Sequence, residues 1–204
     1  MLYRIKLGIT ELFSRGIWRT QVKITTTRFG ELEVEKKDIL TFKEGILGFE
    51  NLTEFFVVDP GDQTLILWLQ STGDGEVAFP IIEPRIFNPD YRITLLPIEL
   101  NSLNLQGVND ASVYTILTIP GDVQQMTANL KAPIIINNKT KQARQIVLQD
   151  NKLEVKYPMY SDLKKYIVTY HSDDSTRTNQ KEIIAEVKPQ ESATPNVNRK
   201  ENTL

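Results

Sequence analysis

The sequence predicts an all-β fold, a small antiparallel β-barrel-like domain with one or two short helices. Apolar runs of four to eight residues, rich in Val, Ile, Thr, Phe and Tyr, recur through residues 22–170. Turn residues such as Pro60-Gly61-Asp62 and Pro120-Gly121-Asp122 separate these runs. The connections are too short to hold the crossover helices that parallel pairing requires, so antiparallel strands in a barrel or sandwich follow.

The predicted elements follow one another closely along the chain. One segment, 98–106, has the pattern of a short helix. The others are predicted strands: 22–26, 31–35, 54–59, 64–70, 77–82, 91–98, 112–119, 132–137, 143–149 and 152–157.

Two segments differ in composition from the predicted domain, residues 22–170. Residues 1–21 form a basic N-terminal extension whose apolar residues are interrupted by charge, which is unlike a secretory signal. One interpretation is a basic amphipathic helix for a membrane surface. The other is a mis-annotated start, with translation beginning at Val22, since an internal GUG codon is read as valine. Residues 171–204 are polar, and we predict a disordered tail.

The composition restricts the chemistry that the chain can perform. It has no cysteine and one histidine, which excludes disulfides, zinc–thiolate sites and the commonest catalytic triads. The single histidine, His171, stands at the edge of the polar tail, and we interpret it as incidental. We therefore predict no catalytic residue, no metal ligand and no cofactor. Carboxylates are abundant, so an enzyme or small-ligand-binding protein that uses a carboxylate pair stays open as the alternative.

Charge is distributed unevenly along the chain, although the net charge is −2. Residues 31–122 contain 16 acidic and 5 basic residues, whereas residues 123–170 contain 3 acidic and 8 basic residues. One interpretation is ordinary solvated surface charge. The other is an acidic face for a basic protein partner. Nucleic acid is disfavoured as a direct ligand of such a face, because its phosphates repel carboxylates.

The stretch Gly45-Ile46-Leu47-Gly48-Phe49-Glu50 raises the question of a phosphate-binding loop. It lacks the lysine of a Walker loop and the third glycine of a dinucleotide loop, and strand-type sequence follows it. Glu50 would also repel a phosphate. We therefore predict a turn whose glycines supply positive φ. Leu47 is expected to point into the barrel, and Phe49 to lie between the core and the rim.

Several segments together resemble one protein family, the flagellar assembly factor FliW. They are 24–59, which contains the turn above, 67–71, 77–91 and 126–148, and the likeness runs in one order over about residues 22–160. The resemblance implies a small antiparallel β-barrel-like protein of the bacterial cytoplasm without catalytic activity. No stable membrane association is expected.

The resemblance also implies two protein partners. One is flagellin, and the other is the carbon storage regulator CsrA, an RNA-binding translational repressor. Binding of CsrA relieves the repression of flagellin synthesis, and free flagellin competes for the factor in a chaperone-like, partner-switching feedback. An acidic stretch on a protein without a nucleic-acid motif suits an antagonist of a cationic RNA-binding protein.

We predict a partner surface from two segments of the acidic stretch. It comprises Phe49, Glu50, Glu83, Phe87, Asp90 and Tyr91, with the acids as charged contacts and the aromatic side chains as apolar anchors. The segment 83–91 has two prolines among apolar and acidic groups, as expected of an ordered exposed loop. The alternative is that Phe87 and Tyr91 belong to the core, where aromatic side chains usually lie.

Overall fold

The computed structural model of the protein describes residues 20–61, 64–107 and 110–173, with side chains as far as Ile167. Most of the described chain is β-strand. The two helices are α1 (Pro97–Ser102) and α2 (Tyr160–Asp173). The strands are β1 (Gln21–Thr26), β2 (Gly30–Glu35), β3 (Leu40–Phe42), β4 (Glu54–Val58), β5 (Leu67–Ser71), β6 (Ala78–Ile82), β7 (Ala111–Thr118), β8 (Thr127–Ala128), β9 (Ile134–Asn137), β10 (Gln142–Gln145) and β11 (Tyr157–Pro158).

Seven strands close into a barrel. Their order is β7-β6-β5-β4-β3-β10-β9, and β9 returns to pair with β7. All neighbours are antiparallel except β3 and β10, which run parallel with Thr41 opposite Gln142 and Phe42 opposite Ala143. This arrangement confirms the predicted class, an antiparallel β-barrel-like domain with two short helices.

Alternating apolar residues of these strands fill the barrel interior. Directly opposed residues such as Leu69 and Phe79, or Ile81 and Ile116, point to the same face of the sheet. The core cluster that they belong to includes Phe42, Phe55 and Ile134, each of which is almost fully buried. The barrel is therefore a packed core and not an open channel.

The first two strands form a hairpin that covers the barrel from outside. The hydroxyl of Thr26 donates to the Gly30 carbonyl at 2.9 Å and accepts from the Phe29 N–H at 3.0 Å, which closes the turn. Ile24, Phe29 and other apolar residues of the hairpin pack on Phe56 and neighbouring residues of β4 and β5. The barrel wall is thus apolar on both faces at this point.

The seam between β6 and β7 is only two residue pairs long, Ile81 with Ile116 and Ile82 with Thr115. On β6, the Val77 carbonyl accepts from Ser71 on the β5 side, so residues 80, 82 and 84 direct their backbone groups toward β7. Two of these three positions are Pro80 and Pro84, which have no N–H to donate. The ladder therefore ends on each side of Ile82.

The last elements of the described chain lie outside the barrel. β8 pairs with the last residues of β7 and β11 pairs with β8, and α2 follows. Met159, Leu163 and Ile167 bury their side chains in a cluster with Phe87 and Tyr91. None of the helices among the described residues is long and apolar enough to cross a membrane.

Several predicted elements differ from the observed ones. Residues 91–98 are not a strand: 91–96 lie outside any ladder, and α1 begins at Pro97. The segment 152–157 contributes only Tyr157 to a two-residue strand. Strands β3 and β8 and helix α2 were missed. β1 starts at Gln21, the last residue of the predicted extension. α2 continues to Asp173, so His171, which was assigned to the polar tail, lies in a helix. The rest of the predicted extension and tail, residues 1–19 and 174–204, lies outside the described residues.

Candidate protein-binding surface

The turn between β3 and β4 is built on two glycines with positive φ. Gly45 has φ +67° and Gly48 has φ +83°. The Phe49 N–H donates to the Ile46 carbonyl at 2.7 Å, which makes a narrow bridge across the turn. At Gly45 a β-carbon would come within 2.6 Å of the Glu50 Cα atom, whereas at Gly48 it would meet open space. Gly45 is therefore required both by conformation and by the close approach of the returning chain.

The three apolar side chains of this turn have different environments. Ile46 is 1% exposed and belongs to the barrel core. Leu47 is 58% exposed, so the expectation that it points inward is wrong; its backbone N–H donates outward to the Gln145 side chain of β10 at 3.1 Å. Phe49 is 36% exposed and packs on Phe79, which agrees with its predicted place between core and rim.

Glu50 is an exposed anion that also stabilises the turn. Its carboxylate accepts a hydrogen bond from the Gly48 N–H at 2.8 Å. This hydrogen bond to the charged form holds the pKa of Glu50 below its ordinary value, so the group stays ionised. The carboxylate also takes up the backbone N–H that a phosphate would need, which is a physical reason against the nucleotide interpretation. The turn therefore presents Leu47 and Phe49 beside a fixed negative charge.

The second predicted segment, 83–91, presents its acids but not its aromatic rings. Glu83 is partly exposed and forms an ion pair with Arg85 at 2.9 Å, and Asp90 is exposed. Phe87 is 3% exposed, with its ring centroid 6.0 Å from that of Tyr157. Tyr91 is 5% exposed. The prediction that these two rings are exposed anchors is corrected: they belong to the core.

The physical reason is the packing of α2 and the strands before it. Tyr91 donates its hydroxyl to the Leu130 carbonyl at 2.8 Å, which satisfies the one polar atom of a ring that is otherwise surrounded by apolar groups. Burial raises the pKa of this phenol far above its ordinary value. Because α2 was not predicted from the sequence, no element was expected to pack over Phe87 and Tyr91 and bury them.

The structure does not bring all the predicted residues into one patch. Phe49 packs on Phe79 near the start of β6, whereas Glu83 follows the end of the same strand. Glu83 lies four residues after Phe79 along extended chain, a distance of about 13 Å. The predicted residues therefore form two separate surfaces along β6. Leu47 is the exposed apolar residue that the prediction omitted.

Carboxylates of the described residues do not converge in a way that suggests chemistry. The described part of the chain holds no cluster of three or more His, Cys, Asp or Glu side chains suited to a metal ion. Of two surface grooves, one contains Glu76 and the other Glu83 as its only acidic residue. A carboxylate-pair site needs two such groups in one groove, so this geometry gives the alternative function little support.

Comparison with known proteins decides the family. The model of the FliW protein family matches residues 23–159, which include the barrel strands and the Gly45–Glu50 turn. The chain belongs to the FliW family. A flagellar assembly factor FliW from Bdellovibrio bacteriovorus is 42% identical over 145 residues, which cover 71% of this chain and 83% of that protein. One from Thermoanaerobacter pseudethanolicus is 36% identical over 144 residues, covering 70% of this chain and 96% of that protein.

A solved FliW structure has the same fold. The crystal structure of the flagellar assembly factor FliW superimposes with a TM-score of 0.65 at 33% sequence identity. The match covers 68% of this chain and 97% of the crystallised one. The predicted resemblance to the FliW family is thereby confirmed, and the chain is a member of a family of flagellar assembly factors.

Proposed function

We propose that this protein acts as a non-enzymatic flagellar assembly factor of the bacterial cytoplasm that binds CsrA and flagellin. Binding of CsrA would relieve the repression of flagellin synthesis, and flagellin would release CsrA by competing for the factor. Membership of the FliW family supports the assembly role. The two partners are those that the resemblance implies.

One structural observation carries the proposal of a protein-binding surface. The Gly45–Glu50 turn shows Leu47 and Phe49 to solvent at the edge of the packed barrel, beside an ionised carboxylate. Exposed apolar groups rimmed by charge are typical of protein interaction sites. Side chains held in a defined position lose little freedom on binding, which favours affinity.

Charge supports a cationic partner for this surface and for the separate surface at Asp90. Glu50 and Asp90 are exposed, and no ion pair holds either of them within the described part of the chain. CsrA binds RNA and therefore needs cationic surface. Opposite charges across an interface raise the association rate and favour the correct partner. We therefore assign both acidic surfaces along β6, the one at Glu50 and the one at Asp90, to CsrA.

The test is direct binding with charge-altered variants. Wild-type protein is mixed with purified CsrA and with flagellin, separately and together, and complexes are followed by size-exclusion chromatography and calorimetry. Glu50→Gln keeps the acceptor for Gly48 but removes the charge, and Asp90→Lys reverses a charge. Both variants should bind CsrA several-fold more weakly, most clearly at low salt.

A matched control is Glu154→Lys, which changes charge by the same amount as Asp90→Lys at an exposed position in the basic part of the chain. It should leave CsrA affinity unchanged. Wild-type protein that binds neither CsrA nor flagellin would overturn the proposed function. Equal CsrA affinity of Asp90→Lys, Glu50→Gln and wild type would overturn the assignment of the surface.

A further inference from the structure

A groove of about 490 Å³ lies where β6 leaves the barrel wall at Pro84. Its volume is in the range of about 300–1,000 Å³ that is common for ligand sites. The groove is lined by residues of β7 and β9, of the segment 83–85 and of the segment 91–95, among them Glu83, Pro84, Arg92, Val113, Tyr114 and Ile135. It therefore lies beside the short seam between β6 and β7.

One wall of the groove is an unpaired strand edge. The Asp110 carbonyl accepts from the Asn138 N–H on the β9 side, so even-numbered residues of β7 face β9. Ala111 and Val113 consequently direct their N–H and C=O groups to the other side, toward the groove. Among the described residues no strand pairs with that side of β7 before Thr115, because Pro84 ends the β6 ladder. An edge of this kind is a template for another extended chain.

The opposite wall has the side-chain pattern of a strand without its hydrogen bonds. Ile93 and Leu95 pack inward on the cluster that contains Ile135, whereas Arg92 and Thr94 are exposed. In the described part of the chain, the N–H groups of residues 92–95 have no backbone hydrogen bond. An extended segment that enters the groove would therefore find the free backbone groups of β7 on one side and the segment 91–95, with its inward apolar side chains, on the other.

Arg92 is a cation in the lining of the groove. The guanidinium of Arg92 donates to the carbonyls of Pro89 at 2.7 Å and Tyr91 at 2.9 Å, and no carboxylate of the described residues pairs with it. The neighbouring Arg85 is already paired with Glu83. A carboxylate of a bound segment would thus complete the contacts of Arg92.

We propose that this groove binds an extended, apolar–acidic segment of a partner protein. The segment adds as a strand to the free edge of β7 at Ala111 and Val113 and sets a carboxylate against Arg92. A free edge of four residues suits a short peptide, whereas a stable dimer of this chain would have to bury about 1,200–2,000 Å². The proposal does not rest on the CsrA assignment, which concerns acidic side chains and a cationic partner.

The test uses the full chain and a designed peptide. The probe is a blocked seven-residue peptide with valine at alternate positions, threonine between them and one central aspartate. Amide hydrogen exchange is followed by NMR while the peptide is added to millimolar concentration. We expect exchange at Ala111 and Val113 to slow at least ten-fold. No slowing at these two amides, or slowing only elsewhere, would overturn the proposal.

Two matched controls separate strand pairing from unspecific adsorption. The same peptide with alternate amides N-methylated keeps its side chains but cannot pair, so it should bind at least ten-fold more weakly. Arg92→Glu should weaken the aspartate peptide at least five-fold and strengthen a peptide with lysine in place of aspartate. Equal binding of the N-methylated peptide, or an unchanged order of preference in Arg92→Glu, would contradict the proposal.

A second copy of the chain is the competing occupant. If it filled the groove, the amides of Ala111 and Val113 would be protected without peptide, and more so at higher protein concentration. That result would overturn the choice of occupant. Loss of CsrA and flagellin binding with intact peptide protection would overturn the proposed function and leave this inference in place.

Discussion

The ring of Phe49 packs edge-on against the ring of Phe79, with the centroids 5.1 Å apart and the ring planes at 78°. This contact fixes the outer part of the β3–β4 turn to strand β6. The same phenylalanine has about a third of its surface in solvent. Phe49 therefore contributes to the folding of the turn and to the surface that we assign to a partner.

The first prediction concerns the two roles of Phe49. Phe49→Ala should lower the free energy of unfolding by about 1–3 kcal/mol, less than the 3–5 kcal/mol of a fully buried phenylalanine, because part of the ring is already exposed. Urea denaturation measures the change. Leu47→Ala is the control: its side chain is mostly exposed, so stability should stay within about 0.5 kcal/mol of wild type. A larger loss for Leu47→Ala than for Phe49→Ala would contradict this packing.

The second prediction compares two glycines of one turn. Both have positive φ, so replacement by alanine strains the backbone at either site by about 1 kcal/mol. At Gly45 the new methyl group also meets the backbone of Phe49 and Glu50. We expect Gly45→Ala to lower the free energy of unfolding by about 3 kcal/mol or more, and Gly48→Ala by about 1 kcal/mol. Thermal or urea unfolding measures both changes. Equal losses of stability in the two variants would show that the chain does not approach Gly45 so closely.

The third prediction concerns the hydroxyl of Tyr91. Tyr91→Phe leaves the buried Leu130 carbonyl without its donor and should reduce stability by about 1–3 kcal/mol at neutral pH. Burial raises the pKa of Tyr91, so the folded state favours the neutral phenol. The stability that the protein gains from keeping this phenol neutral is complete below the ordinary tyrosine pKa of about 10 and is lost as the pH rises above it.

Urea denaturation at a series of alkaline pH values tests this. Wild-type protein should lose stability above pH 10 more steeply than Tyr91→Phe, so the difference between the two proteins should shrink. Other tyrosines with raised pKa, such as Tyr114, are present in both proteins and cancel in the comparison. Parallel pH profiles would speak against a buried Tyr91.

The fourth prediction concerns the seam between β6 and β7. Pro80→Ala supplies the N–H that the ladder needs opposite Leu117, so the new amide at position 80 should exchange slowly with solvent. The added hydrogen bond, about 0.5–1.5 kcal/mol, offsets the lost rigidity of proline, about 0.4–1 kcal/mol, and overall stability should change little. In Pro89→Ala, at an exposed loop position, the new amide should exchange rapidly. Fast exchange at both positions would mean that another constraint keeps the strands apart.

The strand pattern was visible in the sequence wherever one face of a strand is buried. The runs around Phe55, Leu69 and Ile134 alternate or are wholly apolar, as the barrel interior requires. Residues 91–96 show the same pattern, but their inward side chains pack on the outside of the barrel without a ladder. Periodicity reports which side chains are buried and not which backbones are paired.

Helix α2 is the opposite case, an element that is present in the structure and was not predicted from the sequence. Tyr160, Leu163 and Ile167 have helical spacing, but the β-branched and aromatic run 166–170 is typical of strands, and the polar chain that follows suggested a tail. Without α2, the burial of Phe87 and Tyr91 could not be derived. The exposed acids Glu50 and Asp90 needed no such partner, so sequence reasoning located them correctly on the surface.

The parallel pairing of β3 with β10 has a consequence for synthesis of the chain. Glu44, two residues after β3, forms an ion pair with Arg144 of β10, and these two residues stand 100 positions apart. A ribosome that adds about 5–20 residues per second needs about 5–20 s to make the intervening chain. During that interval one side of β3 has no strand to pair with, although its Leu40 and Phe42 are already present. The nascent chain therefore carries an open sheet edge until β10 has emerged, and a truncated product that ends before β10 keeps it permanently.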